Sequence, residues 1–224
     1  MRINGMWWKI ILLSGLAAVI VFSFITPAPQ NIIGEASRIF YYHIPMAWIA
    51  VLAFALAMIY SIRYLRSKKI IEDIRARSAA SLGLLFSFLA TVSGSIFARV
   101  TWGSFWNWDP RETSIFILLL IYGAYFALRT AVAVEEKRAS LAAVYAIFAF
   151  LTVPFLVFVV PRVVPSLHPA DSVIGADFKF TMGTTVRLIF FASLAFFTVL
   201  YLWLFNLTCR VGVLYRKIIE EESL

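Results

Sequence analysis

Residues 140–160 read SLAAVYAIFAFLTVPFLVFVV, a mostly apolar run of 21 positions without a charged side chain. At about 1.5 Å of rise per residue, a helix of this length crosses the roughly 30 Å hydrocarbon core of a bilayer. Other uncharged runs occupy 10–25, 44–62, 78–98, 114–128 and 188–207. The sequence therefore predicts an all-α integral membrane protein with six transmembrane helices.

The overall composition supports this class. The chain is 62% hydrophobic and 14% charged with a mean hydropathy of +0.88, whereas soluble domains carry about 25% charged residues. We expect one polytopic domain over residues 1–224, with helices at about 7–25, 44–63, 78–98, 114–132, 140–160 and 187–207. Arg129 is expected to snorkel and so extend the short fourth helix. The first run, which follows Arg2 and Lys9, is also typical of a cleaved signal peptide.

Lysine and arginine are unevenly distributed between the two sides of the predicted helices. Of the 20 such residues, 14 fall on the side of the two termini. By the positive-inside rule this predicts cytoplasmic termini and outward connections at 26–43, 99–113 and 161–186. The net charge of +8 then reflects topology rather than nucleic-acid binding. Six basic residues remain on the outward side: Arg38, Arg99, Arg111, Arg162, Lys179 and Arg187.

Both histidines of the chain fall in or at the ends of outward connections. His43 lies in SRIFYYHIPMAW, just ahead of the second predicted helix, and His168 lies in PRVVPSLHPAD. Taken singly, each could merely hydrogen-bond at the level of the lipid headgroups. Cys209 is the single cysteine, so an intrachain disulfide or dithiol site is excluded.

The stretch 101–114, TWGSFWNWDPRETS, joins two apolar runs. Its second half predicts a helix start, with Asp109 as N-cap, Pro110 at the first helical position and Glu112 closing a capping box. This pattern explains the acidic residues and the proline. It does not explain the tryptophans that precede them.

Three tryptophans in this stretch predict a flat apolar surface. Trp102 and Trp106 share a face if the segment is helical, and Trp106 and Trp108 share one if it is extended. Such a surface suits a large planar ligand. The alternative is a belt of aromatic residues at the membrane interface. Together with two histidines and several outward arginines, the tryptophans favour haem, because imidazole ligates its iron and guanidinium groups pair with its propionates.

The stretch WGSFWNWDPRET resembles the WWD signature of the haem-handling protein family, which serves cytochrome c maturation. RIFYYHIPMAW and SLHP are similar to segments of its haem-delivery members of the CcmC type, and the likeness covers nearly the whole chain. The resemblance implies that haem b is held at the outer face of the cytoplasmic membrane, with His43 and His168 as axial ligands. The other implied site residues are Trp102, Trp106, Trp108, Asp109, Arg99 and Arg111.

The resemblance also implies partners and a non-enzymatic role. A delivery protein of this type passes haem to the membrane-anchored chaperone CcmE and works beside the transporter subunits CcmA and CcmB and the small membrane protein CcmD. It would be a multi-pass inner-membrane protein with its haem site on the periplasmic or extracellular side. One alternative is a component of a CcsA-type haem lyase. Another is a permease without a haem site, although the predicted helix centres hold few polar residues.

Overall fold

The computed structural model describes residues 5–28, 33–168 and 182–222. Regular structure within these ranges is entirely helical, and six segments are long and apolar enough to cross a membrane. The all-α class and the six apolar spans are thus confirmed. The helices are α1 (Trp7–Ile25), α2 (Phe40–Ser67), α3 (Ile70–Trp102), α4 (Pro110–Ala131), α5 (Glu135–Pro154), α6 (Val160–Val163) and α7 (Thr184–Glu222). A 3-10 helix (Gly34–Ile39) precedes α2, and a π-helix (Phe155–Val159) links α5 to α6.

The centre of the bundle is α2, which packs against α3, α5 and α7. Small side chains at the contacts let the helix backbones approach closely, as is typical of membrane bundles. On α3, Gly83 lies against the ring of Phe54, where a Cβ would stand 2.4 Å from Cε1. The other face of the core is aromatic, since Phe54 stacks on Tyr122 of α4. The buried alanines at these contacts are Ala50, Ala53, Ala57, Ala79, Ala80, Ala142, Ala146 and Ala149.

The observed helices extend beyond the uncharged runs. α3 begins at Ile70 rather than 78, and α7 continues to Glu222 rather than 207. Charged residues end a hydrophobic run, but they do not end a helix once it has left the hydrocarbon layer. The turn between α2 and α3 is consequently only two residues long, at Lys68 and Lys69.

Arg129 does not snorkel as expected. Its Nη1 and Nη2 atoms each lie 2.7 Å from a carboxylate oxygen of Asp73, and the two side chains are only 8% and 6% exposed. This pair became possible because α3 starts early enough to carry Asp73 into the bundle. α4 nevertheless continues past Arg129 and ends at Ala131, close to the predicted end at about 132.

The end of the bundle that carries the histidines also differs from the predicted boundaries. α2 begins at Phe40, which places His43 in the first turn of a helix rather than in a connection. α3 continues through Trp102 and ends at Gly103, whose left-handed φ of 83° suits a helix C-cap. Arg99 is therefore helical as well. Part of the third predicted connection, 169–181, lies outside the described residues.

Arg38 has a structural role at this end. Its Nη1 donates to the backbone oxygens of Ser23 and Thr26, which are orphan acceptors at the end of α1. Its Nε lies 2.5 Å from Glu35, and the Arg38 side chain is 15% exposed. These bonds join α1 to the 3-10 helix that leads into α2.

Candidate functional site

His43 points from the first turn of α2 towards α3. Its Nδ1 lies 3.0 Å from Oγ of Ser93. The Ser93 hydroxyl is within 2.8 Å of the backbone oxygen of Leu89 and donates its single proton towards the backbone of the preceding turn. Ser93 therefore accepts from His43, so that Nδ1 carries the imidazole proton. The lone pair of His43 Nε2 is left for a ligand.

Gly94 makes room for this imidazole. A Cβ at Gly94 would stand 2.9 Å from Cε1 of His43, which is closer than non-bonded carbon atoms approach. The neighbouring Ser93 holds Nδ1 while Gly94 allows the ring to lie against α3. Two adjacent small residues thus set both the orientation and the depth of His43.

His168 lies in the segment that follows α6. Its Nδ1 is 2.8 Å from Oδ1 of Asp109, and its ring packs edge-on against Trp102 with centroids 4.7 Å apart. A carboxylate only accepts, so Nδ1 of His168 is the donor and its Nε2 keeps a lone pair. Carboxylate-to-imidazole contacts of this kind orient histidines that ligate metals. The side chain is 17% exposed.

Asp109 joins the start of α4 to the segment that carries His168. The predicted capping box is confirmed, because Oδ1 accepts from the backbone N of Arg111 at 2.9 Å and Glu112 closes the box. Its Oδ2 accepts from the backbone N of Leu167 at 2.7 Å and from Oγ of Ser166 at 2.8 Å. With its side chain 0% exposed, Asp109 acts on the site through His168 rather than facing a ligand.

The pKa values of Asp109 and His168 follow from these contacts. Burial raises the pKa of Asp109, but hydrogen bonds from Arg111, Ser166 and Leu167, together with the electrostatic interaction with His168, outweigh burial, so the pKa is lowered overall. Burial lowers the pKa of His168, which the Asp109 carboxylate only partly offsets. An ionised carboxylate therefore supports a neutral imidazole, the form that binds iron.

The two histidines lie near each other at one end of the bundle. Their imidazoles are close enough to interact electrostatically, and Arg111 interacts electrostatically with both. Arg111 is half-buried in the first turn of α4. Arg162 lies close enough to Arg111 to add a second positive charge beside it.

The tryptophans do not form a flat surface. Because α3 ends at Trp102, this residue shares no helical face with Trp106. The rings of Trp106 and Trp108 meet at 88° with centroids 5.9 Å apart, so the expected flat surface is wrong. Trp106 also packs edge-on against Phe116 of α4. Trp108 is 73% exposed and has a left-handed φ of 57°, a conformation that is unfavourable for a bulky residue.

Arg99 contacts the residues that follow α3. Its Nη1 donates to the backbone oxygen of Gly103, and its guanidinium lies over the ring of Phe105. These contacts close the end of α3, and the side chain is exposed. Of the two arginines that the resemblance implied, Arg99 and Arg111, it is Arg111 that interacts electrostatically with the imidazoles.

Sequence reasoning did not identify Ser93, Gly94 and Ser166 as parts of the site. In the sequence, Ser93 and Gly94 are indistinguishable from ordinary small residues of a membrane helix. Ser166 lies in a proline-rich connection and shows no further pattern. The available signal was weak, since a small polar pair near the end of an apolar run has many structural uses. Their roles depend on which helix faces α3.

Comparison with known proteins identifies a family for this sequence. Residues 2–223 match the model of a protein family described as CcmC, heme exporter protein C. The chain belongs to the CcmC family. Membership covers both histidine segments and the tryptophan-rich stretch, since the match spans the sequence almost from end to end.

Individual relatives carry related names. A ccmC-like mitochondrial protein of cytochrome c biosynthesis from Marchantia polymorpha is 32% identical over 186 residues, covering 82% of this chain and 78% of that protein. Heme exporter protein C from Bradyrhizobium diazoefficiens is 34% identical over 125 residues, covering 56% of this chain and 48% of that protein. The chain thus matches about half the length of the latter relative.

A shorter match connects this CcmC-family chain to a second group. Cytochrome c biogenesis protein CcsA from Ranunculus macranthus is 40% identical over 71 residues, which is 32% of this chain and 22% of that protein. The similarity to CcsA is therefore local, whereas the match to the CcmC family extends over the chain.

Proposed function

We propose that this chain binds haem b at the histidine end of the bundle and delivers it to the haem chaperone CcmE for the maturation of c-type cytochromes. The observation that carries the proposal is the pair of imidazoles. Each is held through Nδ1, by Ser93 for His43 and by Asp109 for His168, and each keeps Nε2 for an axial position on haem iron. Haem is the cargo, so no catalytic group is required.

The other residues of the site have distinct roles in this proposal. Arg111 would pair with a propionate, and its electrostatic interaction with both imidazoles supports this role. Trp102 packs on His168 and limits the movement of its ring. Trp106 packs edge-on against its neighbours and Trp108 exposes its ring, so the two do not form a surface on which haem could stack. Arg99 adds a positive charge at the periphery of the site.

The proposed location is the inner membrane, with both termini in the cytoplasm and the histidine end on the periplasmic side. The distribution of lysine and arginine supports this orientation. The names of the relatives, heme exporter and cytochrome c biosynthesis protein, support a place in the Ccm system. We propose CcmA, CcmB and CcmD as membrane partners and CcmE as the acceptor.

The haem ligands are tested by His43→Ala and His168→Ala, each with its chain neighbour as control. Each histidine variant is expected to change the visible spectrum of the purified protein and to retain less haem, at unchanged abundance in the membrane. Ile44→Ala and Leu167→Ala should keep the parental spectrum. Parental spectra in both histidine variants would show that other groups hold the iron.

The orientation is tested by cysteine labelling in a Cys209→Ser background. Ser104→Cys should react with a membrane-impermeant maleimide added to the periplasmic side, and Lys68→Cys should react only after the membrane is opened. The reverse pattern would place the histidine end in the cytoplasm and exclude outward delivery.

The local match to CcsA favours a haem lyase as the second candidate. The two functions differ in their product. Delivery leaves haem on the chaperone, whereas a lyase bonds haem covalently to an apocytochrome with a CxxCH segment. Mass spectrometry of an apocytochrome incubated with the haem-loaded chain alone distinguishes them, since delivery predicts no increase by the mass of haem.

A further inference from the structure

A groove of about 720 Å³ lies at the opposite end of the bundle, between α2, α3 and α7. Arg63, on its wall, is 20 positions after His43 on α2, which is about 30 Å along a helix axis. None of the lining residues belongs to the haem site. The groove combines basic and apolar groups, among them Tyr60, Arg63, Arg75, Leu202, Phe205 and Arg210.

Two of the arginines are held side by side. Nη2 of Arg63 lies 3.2 Å and Nη1 of Arg75 lies 2.8 Å from the same oxygen of Glu72, a carboxylate that is 7% exposed. The ring of Tyr60 lies beneath both guanidiniums, at 5.5 Å and 5.7 Å from its centroid. Each guanidinium has five N–H donors, and one from each is used on Glu72. The remaining donors are therefore preorganised for another acceptor.

The groove has an excess of positive charge. Arg210 adds a third guanidinium and makes no ion pair within the part of the chain that the structure describes. Three guanidiniums against the one carboxylate of Glu72 leave a net charge of +2. Like charges held together at a membrane surface attract an anion, and each basic residue near the surface contributes about 1 kcal/mol to binding acidic lipids.

The apolar wall determines which anion fits. Leu202 is 49% exposed, and Phe205 is half-buried one turn further along α7. Arg210 follows Phe205 by five positions, about 7.5 Å along the helix towards the water. We propose that the groove binds an anionic phospholipid, with the phosphate between Arg63, Arg75 and Arg210 and an acyl chain along Leu202 and Phe205. This site is independent of the proposed haem function.

Other anions fit less well. Phe205 stacks on Tyr60 at 5.7 Å and 20°, while the guanidiniums cover the same Tyr60 ring, so little aromatic face is free for a porphyrin. Neither of the two histidines of the chain lies at this end. A soluble phosphate compound would use the arginines but leave the apolar wall exposed.

The proposal is tested by native mass spectrometry of the full chain in detergent after its lipids have been removed. Phosphatidylglycerol and phosphatidylcholine with identical acyl chains are added separately. We expect phosphatidylglycerol to bind with a stoichiometry of one and phosphatidylcholine to bind much more weakly. Arg63→Gln and Arg210→Gln should each weaken phosphatidylglycerol binding about fivefold. Both arginines are exposed, so the variants are expected to fold.

Arg66→Gln is the matched control, because Arg66 is exposed near the end of α2 but does not line the groove. It removes the same charge and should leave lipid binding unchanged. Equal weakening by Arg66→Gln, or equal binding of the two lipids, would overturn the site. Displacement of the lipid by glycerol phosphate would assign the groove to soluble phosphates. Displacement by haem in a chain lacking both histidines would assign it to haem.

Discussion

His168 and Asp109 are 59 positions apart in the sequence, yet Nδ1 of the imidazole lies 2.8 Å from Oδ1 of the carboxylate. The same carboxylate caps α4. One buried side chain therefore sets both the start of a membrane helix and the orientation of a proposed haem ligand. The consequences of this dual role can be measured.

Asp109→Asn is expected to damage the site although asparagine is a good N-cap. Each carboxylate oxygen accepts two hydrogen bonds, from Arg111 N and His168 Nδ1 on one side and from Leu167 N and Ser166 Oγ on the other. An amide NH₂ on either side would face donors, which costs about 1 to 3 kcal/mol for each donor left unsatisfied. Haem retention should fall while abundance stays near normal. Glu136→Gln, at an exposed position of α5, is the control, and parental haem retention by Asp109→Asn would contradict the role of Asp109.

Gly94→Ala should displace His43 without unfolding the bundle. The added Cβ would stand 2.9 Å from the imidazole, and the ring is the part that can move. We expect an altered visible spectrum and weaker haem retention at parental abundance. Gly123→Ala is the matched control, since nothing lies within 4 Å of its Cβ position. Identical spectra for both variants would show that His43 does not ligate iron in this orientation.

Haem retention should be constant at neutral pH and fall only below about pH 6.5. Burial lowers the pKa of His168 from its ordinary value of 6.5, so the folded chain binds fewer protons than the unfolded chain at mildly acidic pH. The contribution of His168 to the free energy of unfolding is therefore complete above pH 6.5. It is lost as the pH falls through the pKa that His168 has in the folded chain. A pH titration of the visible spectrum measures this. Half-loss of the haem signal at or above pH 6.5 would contradict it.

Breaking the Arg129–Asp73 pair should destabilise the bundle more than removing both partners. Arg129→Leu leaves a buried carboxylate, at a cost of about 3 to 5 kcal/mol, whereas an apolar replacement of both partners is often neutral or stabilising. Thermal unfolding in detergent should therefore give a lower Tm for the Arg129→Leu variant than for the Arg129→Leu/Asp73→Leu double variant. The reverse order would show that the pair is not buried in the membrane.

Trp108→Gly should lower haem delivery without destabilising the tryptophan-rich stretch 101–114. Glycine adopts the left-handed φ of 57° without steric cost, and the lost side chain is 73% exposed. Abundance should equal or exceed that of the parent, while haem passed to the chaperone should decrease. Trp7→Ala, at a position that is 64% exposed at the start of α1, controls for loss of an exposed indole. Unchanged delivery by Trp108→Gly would assign Trp108 to the membrane interface.

Much of the fold follows from the sequence alone. Six uncharged runs determine six apolar helices, because a bilayer offers no partner for an unpaired backbone group and a helix satisfies its own. The capping box before α4 is equally local, since Asp109, Pro110 and Glu112 interact within one turn. The two histidines and the tryptophan-rich stretch could be recognised for the same reason, as short patterns that need no knowledge of packing.

The tertiary structure decided what these residues contact. No local pattern predicts that Asp109 meets His168, that Ser93 and Gly94 receive His43, or that Arg129 turns inward to Asp73. The helix ends could not be read from the apolar run either, since 70–77 and 99–102, which include charged residues, continue α3 beyond it. The physical reason is that helix formation and capping depend on neighbours within a few residues. The direction in which a helix faces is decided by the summed packing of the other helices around it.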